Sequence, residues 1–326
     1  MMRISSEIRL FFCPGFPMFA LRQYLLLLLT AMLWGGGFVG QKLGMDYVSP
    51  FTFNFFRTLI GALFLLPVIM IASRIRIKGG SAIRKSSRSD LIKGSIAVGA
   101  CLIAADTFQQ YGLKYTDVHK ASFITAMYVV LVPVLGLFIG QKNRARIWIA
   151  VAISAAGLGF LTLRGNSLSM EPGDAMELVC ALLFAVHVQV IDDWVRKVDG
   201  VLLSFGQFIV ASSLGLVLAL ISGPDSFESI RAAFPAILYC GIASNGIAYT
   251  LQIVGQRGVN PAGASIILSL ESTFGALAGV LFLGELITAQ ALMGCALMFT
   301  ATMIAVIPGR KRRSAAVGAA EQKKEG

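Results

Sequence analysis

The sequence predicts an all-α membrane protein in which ten transmembrane helices form two inverted five-helix repeats around a central cavity. The first reason is composition: 56% of the 326 residues are hydrophobic and only 14% are charged, whereas soluble globular proteins carry roughly 25% charged residues. The second is that apolar runs of about 17–25 residues, long enough to cross a bilayer, recur along the chain. The third is that the two halves resemble each other. A β-barrel is not expected, because barrel strands alternate polar and apolar residues and these runs do not.

Each half of the chain contains five predicted spans. In the first half they cover residues 21–40, 51–72, 91–111, 121–139 and 147–163. In the second half they cover residues 174–191, 201–221, 232–254, 261–283 and 289–307. This divides the chain into a cytoplasmic N-terminal tail (1–20), a first repeat (21–164), a second repeat (165–308) and a basic cytoplasmic tail (309–326). The five cysteines lack metal-ligand spacing, so we expect neither a metal nor another cofactor.

The net charge of +11 indicates membrane orientation and not nucleic-acid binding. Most of the lysines and arginines fall on one alternating set of connecting segments, including residues 74–93 and 310–313. Loops rich in Lys and Arg stay in the cytoplasm. We therefore predict a multi-pass protein of the inner membrane with both termini in the cytoplasm.

Two stretches carry the internal repeat. Residues 112–141 (GLKYTDVHKASFITAMYVVLVPVLGLFIGQ) resemble residues 255–285 (GQRGVNPAGASIILSLESTFGALAGVLFLGE) with a slip of one residue, and Ala121 aligns with Ala264. Earlier in each half, residues 31–34 align with residues 181–184, and Ser49 aligns with Asp199. Because five is odd, the second half enters the membrane from the opposite side. Inverted repeats are typical of secondary transporters, whose substrate sites lie near the midplane.

Four segments resemble the two modules of EamA-type members of the drug/metabolite transporter superfamily. They are LWGGGFVGQKLGMDYVSPFTFNFFRTLIGALFLLP (33–67), QQYGLKYTDVHKASFITAMYVVLVPVL (109–135), GDAMELVCALLFAVHVQVIDDWV (173–195) and AYTLQIVGQRGVNPAGASIILSLESTFGALAGVLFLGELIT (248–288). The resemblance implies a ten-helix basket with a central cavity that moves amino acids, other metabolites or toxic compounds across the inner membrane. Family members commonly carry Pro after the mid-helix Glu of the ninth span, but here Ser272 follows Glu271, so the chain lacks a proline to kink that helix.

Polar side chains within spans are costly in lipid and therefore mark cavities or interhelical contacts. On the eighth span four of them fall on one helical stripe, which lines the cavity or bonds to neighbouring helices: Asn245, Tyr249, Gln252 and Gln256. The third span carries Asp106, Gln109 and Gln110. Gln109 lies opposite Gln252 when the halves are overlaid, so the two amides are expected to flank a substrate pathway.

Three ionisable residues lie within or near spans, and each has more than one interpretation. Glu271 either forms a structural hydrogen bond, pairs with a base, or binds a proton. Arg57, also present at this place in the family, either forms a structural ion pair or binds a substrate carboxylate. Asp106 belongs to a vestibule, a helix end or the core.

Three ring-bearing residues are further candidates for the cavity wall. His187 is either a hydrogen-bonded core residue or a wall residue. Trp34, which precedes three glycines, presents its indole to the cavity or simply packs. Tyr128 in the fourth span is a candidate wall residue.

We therefore predict a secondary transporter that exports small metabolites, such as amino acids, or amphipathic drugs by alternating access. The sequence contains no GxxxxGK[ST] nucleotide-binding loop, so a proton gradient or substrate exchange is the expected energy source. An alternative is a membrane-embedded enzyme that uses Glu271, Asp106 and His187 as acid/base groups, and another is a scaffold or receptor without flux. The oligomeric state stays open.

Overall fold

The computed structural model describes residues 18–78, 87–116, 118–162, 172–283 and 289–306, and within these ranges the helices form ten units. The first five are α1 (Met18–Met45), α2 (Pro50–Lys78), α3 (Arg88–Tyr115), α4 (Val118–Ala126 and Tyr128–Phe138) and α5 (Ala145–Thr162). The second five are α6 (Pro172–Val195), α7 (Gly200–Ser222), α8 (Phe227–Tyr239, Cys240–Tyr249 and Thr250–Gln256), α9 (Pro261–Leu268 and Glu271–Leu283) and α10 (Ala289–Val306). Each predicted span falls on one unit, which confirms the predicted fold class. The predicted tails and the border between the repeats at 164–165 lie largely outside the described residues.

The helices have the lengths and surfaces of membrane spans. Seven of the described units are long and apolar enough to cross a bilayer, namely α1, α2, α3, α4, α6, α7 and α8. Two shorter apolar helices, Ala145–Phe160 and Leu292–Val306, belong to α5 and α10. Large apolar side chains such as Leu25, Met70 and Ile92 are more than half exposed, and on this surface they meet acyl chains. We call the membrane face where α1 begins the N-terminal face and the other the opposite face.

Helix packing follows the internal repeat. α3 packs along α6, and their equivalents α8 and α1 pack along each other in the same way. α4 packs against α6, as α9 does against α1, while α2 meets α7 and α5 meets α10. Every one of these contacts is reproduced when the two repeats are exchanged. This is the contact pattern of an inverted repeat with a pseudo-two-fold axis.

Two helices are interrupted at equivalent places. α4 breaks at Met127, and α9 breaks at Ser269 and Leu270. The break in α9 forms without a proline. Ser265 and Ser269 donate their hydroxyls to carbonyls one turn back, at 2.9 Å each, and this type of bond bends helices. Ser272, in the place of the family's proline, donates its hydroxyl to the carbonyl of Ser122 in α4, at 3.0 Å.

α8 contains a π-helical segment, Cys240–Tyr249. Glycines let it lie close to α2: a Cβ atom on Gly241 would sit 2.6 Å from Ile60, and one on Gly246 would sit 2.6 Å from Phe64. The wider i→i+5 turn changes which residues share a face. The polar stripe expected from regular α-helical spacing is therefore split, with consequences for Asn245 described below.

Candidate substrate cavity

A narrow cavity lies at the centre of the bundle. It leaves about 20 Å³ for solvent, which is room for one or two waters at about 10–15 Å³ each. Sites for small molecules ordinarily measure about 300–1,000 Å³, so the cavity as described is too narrow to hold a substrate. The wall consists of Trp34, Phe38, Gln41, Arg57, Gln109, Thr125, Tyr128, Phe184, Val188, Ser244, Tyr249, Gln252, Leu268 and Glu271.

Most of this wall is built from equivalent positions of the two repeats. The alignments of Ala31 with Ala181 and of Ala121 with Ala264 identify the matching residues. The pairs are Trp34 and Phe184, Phe38 and Val188, Gln109 and Gln252, Thr125 and Leu268, and Tyr128 and Glu271. The cavity therefore surrounds the pseudo-two-fold axis, where an alternating-access transporter holds its substrate.

Tyr128 and Glu271 stand at the two helix breaks. Each is the first residue after its break, each is almost fully buried, and both line the cavity. The Tyr128 hydroxyl and Oε1 of Glu271 have no hydrogen-bond partner among the described residues. Here α1 closely approaches α9, since a Cβ atom on Gly35 would lie 2.8 Å from the Glu271 carbonyl oxygen. Among the described side chains, no base forms an ion pair with Glu271.

A buried charged network lies toward the opposite face. Arg57 of α2 and Asp106 of α3 form an ion pair, with Nη2 and Oδ2 2.7 Å apart and the side chains 1% and 0% exposed. Arg57 also donates to Oε1 of Gln41 at 3.0 Å, and Gln110 donates to the same oxygen. Tyr249 donates its hydroxyl to Oδ1 of Asp106 at 3.1 Å. Close pairing of opposite charges is what permits two charges within a membrane.

Aromatic rings line one side of the cavity. The Trp34 indole donates its N–H to the Ser244 carbonyl at 3.3 Å. Its ring meets Tyr249 edge-on, with centroids 4.7 Å apart. Phe184 and Phe38 complete an apolar part of the wall. The cavity thus combines ring faces, amides, one arginine and one carboxyl.

The second repeat carries different chemistry where the first carries the ion pair. The alignment of Ser49 with Asp199 matches Arg57 to Gln207. Gln207 is fully buried, and its Oε1 lies 3.3 Å from Nε2 of His187. The imidazole in turn lies edge-on to Tyr249, with ring centroids 6.0 Å apart.

Comparison with known proteins identifies the family. The model of the EamA-like transporter family matches residues 21–163 and 171–307. The chain belongs to the EamA-like transporter family. An uncharacterized transporter of Archaeoglobus fulgidus is 30% identical over 278 residues, 85% of this chain and 83% of the relative. YwfM, an uncharacterized transporter of Bacillus subtilis, is 24% identical over 89% of this chain and 96% of its own length.

Two further similarities are more distant. CMP-sialic acid transporter 5 of rice, Oryza sativa, is 23% identical over 80% of this chain and 69% of its own length. A solved crystal structure matches with a TM-score of 0.69 over 89% of this chain and 99% of that chain, at 17% identity, which shows the fold alone. This EamA-like protein is thus a multi-pass membrane transporter of a small-molecule substrate.

The structure divides the residues singled out from the sequence into two groups. Seven of them line the cavity, namely Trp34, Arg57, Gln109, Tyr128, Tyr249, Gln252 and Glu271. Asp106 and Gln110 lie behind the wall in the Arg57 network. His187 also lies behind the wall, next to Gln207.

Asn245 departs from the expected stripe. It is fully buried, but its side chain faces Gly61 of α2, where an added Cβ atom would lie 2.9 Å from the Asn245 Cβ. The reason is the π-helical segment, which separates Asn245 from the face that carries Tyr249 and Gln252. Gln256 donates to the Val188 carbonyl at 3.1 Å and joins α8 to α6.

Two polar residues of the site escape a reading of the sequence alone. Gln41 lies just beyond the predicted first span, yet it links Arg57 to Gln110. Glu177 lies near the start of α6 and is fully buried. Aligning it with Leu27, its equivalent in the first repeat, would have identified a carboxyl where the other repeat has an apolar side chain.

Proposed function

We propose that this EamA-like transporter is secondary-active and exports small metabolites, such as amino acids or amphipathic compounds, across the inner membrane by alternating access. The termini then face the cytoplasm, and a coupling proton binds at Glu271. The observation that carries the proposal is that Tyr128 and Glu271 stand at equivalent helix breaks and both line the narrow cavity. Breaks in transporter helices are the points at which substrate and ion sites form.

The cavity chemistry favours a substrate with both polar and apolar parts. Arg57 contributes a cation to the wall and Glu271 a carboxyl that is charged only without its proton. Amides from Gln109 and Gln252 flank the cavity, and rings cover the remaining side. Arg57 already has Asp106 as a partner, so a substrate carboxylate would share or replace that partner. This suits a zwitterion better than a multiply charged anion.

The N-terminal face has a wider and basic cavity of about 590 Å³. Lys142, Arg196 and Arg257 line it. Basic residues at this face support its placement in the cytoplasm. The enzyme alternative receives no support from the geometry, because Asp106 and His187 lie behind the wall in contact with Arg57 and Gln207.

Two measurements test the proposal. Overexpression against a panel of amino acids, amphipathic toxins and nucleotide sugars, including CMP-sialic acid, identifies compounds to which the protein gives resistance. Purified protein in sealed vesicles is then assayed for counterflow of the labelled compound and for its accumulation under an imposed pH gradient. If the purified protein converts the compound in detergent, where there is no sealed compartment, the protein is instead an enzyme.

The decisive variant is Glu271→Gln, which keeps the size of the side chain but can no longer bind and release a proton. We expect accumulation driven by the pH gradient to be lost while the amount of folded protein holds. Glu228→Gln is the matched control, because Glu228 is an exposed acid at the start of α8. Wild-type accumulation by Glu271→Gln at a normal protein level would contradict a role for this carboxyl.

A further inference from the structure

Glu177 of α6 is a carboxyl buried without a cation. It is fully buried and lies about 8 Å below the start of the helix at the opposite face, at 1.5 Å per residue. Oε2 accepts a hydrogen bond of 2.6 Å from the Thr125 hydroxyl of α4. Oε1 is buried and has no hydrogen-bond partner among the described residues.

The surroundings of Glu177 are acidic. Two further carboxyls lie near it, Asp174 one turn earlier on α6 and Glu271 of α9, and the Cys180 thiol lies beside it. α3 contributes Gly112, where an added Cβ atom would lie 2.4 Å from Oε1 of Glu177. Asp174 itself accepts a hydrogen bond of 2.8 Å from the Thr116 hydroxyl at the end of α3.

Lys42 of α1 lies near this end of α3, but its ammonium donates to the carbonyls of Leu113 and Thr116. Among the described side chains, none of the basic ones forms an ion pair with Glu177. An ionised carboxylate buried without a cation is strongly destabilised, whereas a carboxyl that holds a proton is neutral. Glu177 therefore differs from Asp106, which is paired with Arg57.

The other repeat shows that packing does not require this carboxyl. The equivalent of Glu177 is Leu27, and the equivalent of Gly112 is Gly255. Leu27 packs against Gly255, where an added Cβ atom would lie 3.1 Å from the leucine side chain. The equivalent of Thr125 is Leu268, and it shares an apolar cluster with Leu27. Each of the two equivalent pockets takes one side chain from each repeat; one is filled by two leucines, and the other by a hydroxyl and a carboxyl.

We propose that Glu177 is a second proton-binding site, connected through the Thr125 hydroxyl to the cavity and Glu271. Thr125 carries the connection because it bonds to Glu177 on one side and lines the cavity on the other. The cavity has room for the water that would bridge to Glu271. The inference rests on the proposed proton coupling and adds a second proton-binding site to it.

Infrared spectroscopy of the full-length protein in lipid tests this site without knowledge of the substrate. A protonated carboxyl gives a carbonyl band that an ionised one lacks, and the spectrum is followed as the pH is raised. We expect Glu177→Gln to remove one acid band and to shift the pH midpoint of a second, which Glu271→Gln removes. Thr125→Val keeps the side-chain shape and is expected to shift the frequency of the Glu177 band, because its hydroxyl donor is gone.

Two controls keep the result interpretable. Glu177→Leu copies the residue of the other repeat and should lose the same band while the protein stays folded. Glu228→Gln should leave every acid band unchanged. If Glu177→Gln removes no band, or if Thr125→Val leaves the Glu177 band in place, the proposal is overturned. Failure of pH-driven accumulation in vesicles would overturn the proposed function and leave the infrared result standing, so the two failures are distinct.

Discussion

The two repeats share their geometry and differ in the chemistry placed upon it. Arg57 is the eighth residue of α2, and Gln207 is the eighth residue of α7. Arg57 binds a carboxylate and an amide, both buried. Gln207 contacts the ring of a histidine. A symmetric scaffold therefore carries a charged network toward the opposite face and an uncharged amide at the equivalent depth from the N-terminal face.

This difference has a consequence for alternating access. If the two faces open in turn, opening the opposite face disturbs a buried ion pair, whereas opening the N-terminal face disturbs the uncharged contact between the Gln207 amide and the His187 ring. Separating two charges within a low-dielectric region costs far more than separating two uncharged polar groups. We therefore expect the opposite face to be the harder one to open until a substrate or proton compensates Arg57 or Asp106.

The largest expected effect follows from removing one member of the ion pair. Arg57→Gln installs the residue of the second repeat, but it leaves Asp106 buried and uncompensated. Breaking a buried pair in this way costs about 3–5 kcal/mol. We expect a large fall in thermal stability, measured by size-exclusion chromatography of heated samples in one detergent.

The double variant Arg57→Gln/Asp106→Asn removes both charges and should recover most of the loss. Lys197→Gln is the control, because Lys197 and Asp193 form an exposed pair of 3.1 Å worth at most about 1 kcal/mol. If Arg57→Gln is as stable as the wild type, the pair is not a structural element and the two repeats are equivalent here.

A smaller effect is expected from moving the carboxyl of Glu177 to the other repeat. Leu27→Glu places the carboxyl against Gly255 in an apolar cluster. Leu268 stands there in the place of Thr125, so the new carboxyl has no hydroxyl donor. A buried polar group without a partner costs about 1–3 kcal/mol. We expect a matching loss of thermal stability, and Leu27→Glu/Leu268→Thr should regain part of it. If Leu27→Glu is as stable as the wild type, the two pockets do not differ in polarity.

Much of the fold is predictable from the sequence because it depends on one-dimensional signals. Apolar runs determine the ten spans, and the odd number of spans in each half determines the inversion. The alignment of the two repeats matches Gln109 with Gln252, and both line the cavity. It also matches Tyr128 with Glu271, although their positions in the cavity wall require the helix breaks, which serine hydroxyls help to form in α9.

The rest of the site depends on tertiary packing that no periodicity reveals. The π-helical segment of α8 turns Asn245 away from Tyr249, and it fits against α2 through the glycines at 241 and 246. Gln41 reaches Arg57 because α1 extends to Met45, beyond the predicted span. Glu177 resembles an ordinary helix-start acid until α3 and α4 cover it.

The smallest expected effect concerns the starts of α2 and α7, again equivalent in sequence. Asp199, the N-cap residue directly before α7, accepts hydrogen bonds from the N–H groups of Val201 and Leu202. Its equivalent directly before α2 is Ser49, whose N–H and hydroxyl donate to Oδ2 of Asp225 in the α7–α8 loop, at 3.0 and 2.8 Å. Although partial burial acts to raise the pKa of Asp225, hydrogen bonds from Thr52 and Ser49 outweigh it and lower that pKa.

A carboxyl whose pKa is lower in the folded protein stabilises the fold above its unfolded pKa, about 3.9 for Asp, and this contribution is lost as the pH falls through the folded pKa. Asp225→Asn should therefore lower thermal stability slightly at pH 7, by less than about 1 kcal/mol because the site is partly solvated. The difference from the wild type should shrink as the pH is lowered below about 4. Asp193→Asn, at an exposed position, serves as the control. A difference that stays constant or grows on acidification would mean that Asp225 acts through its shape and not through its charge.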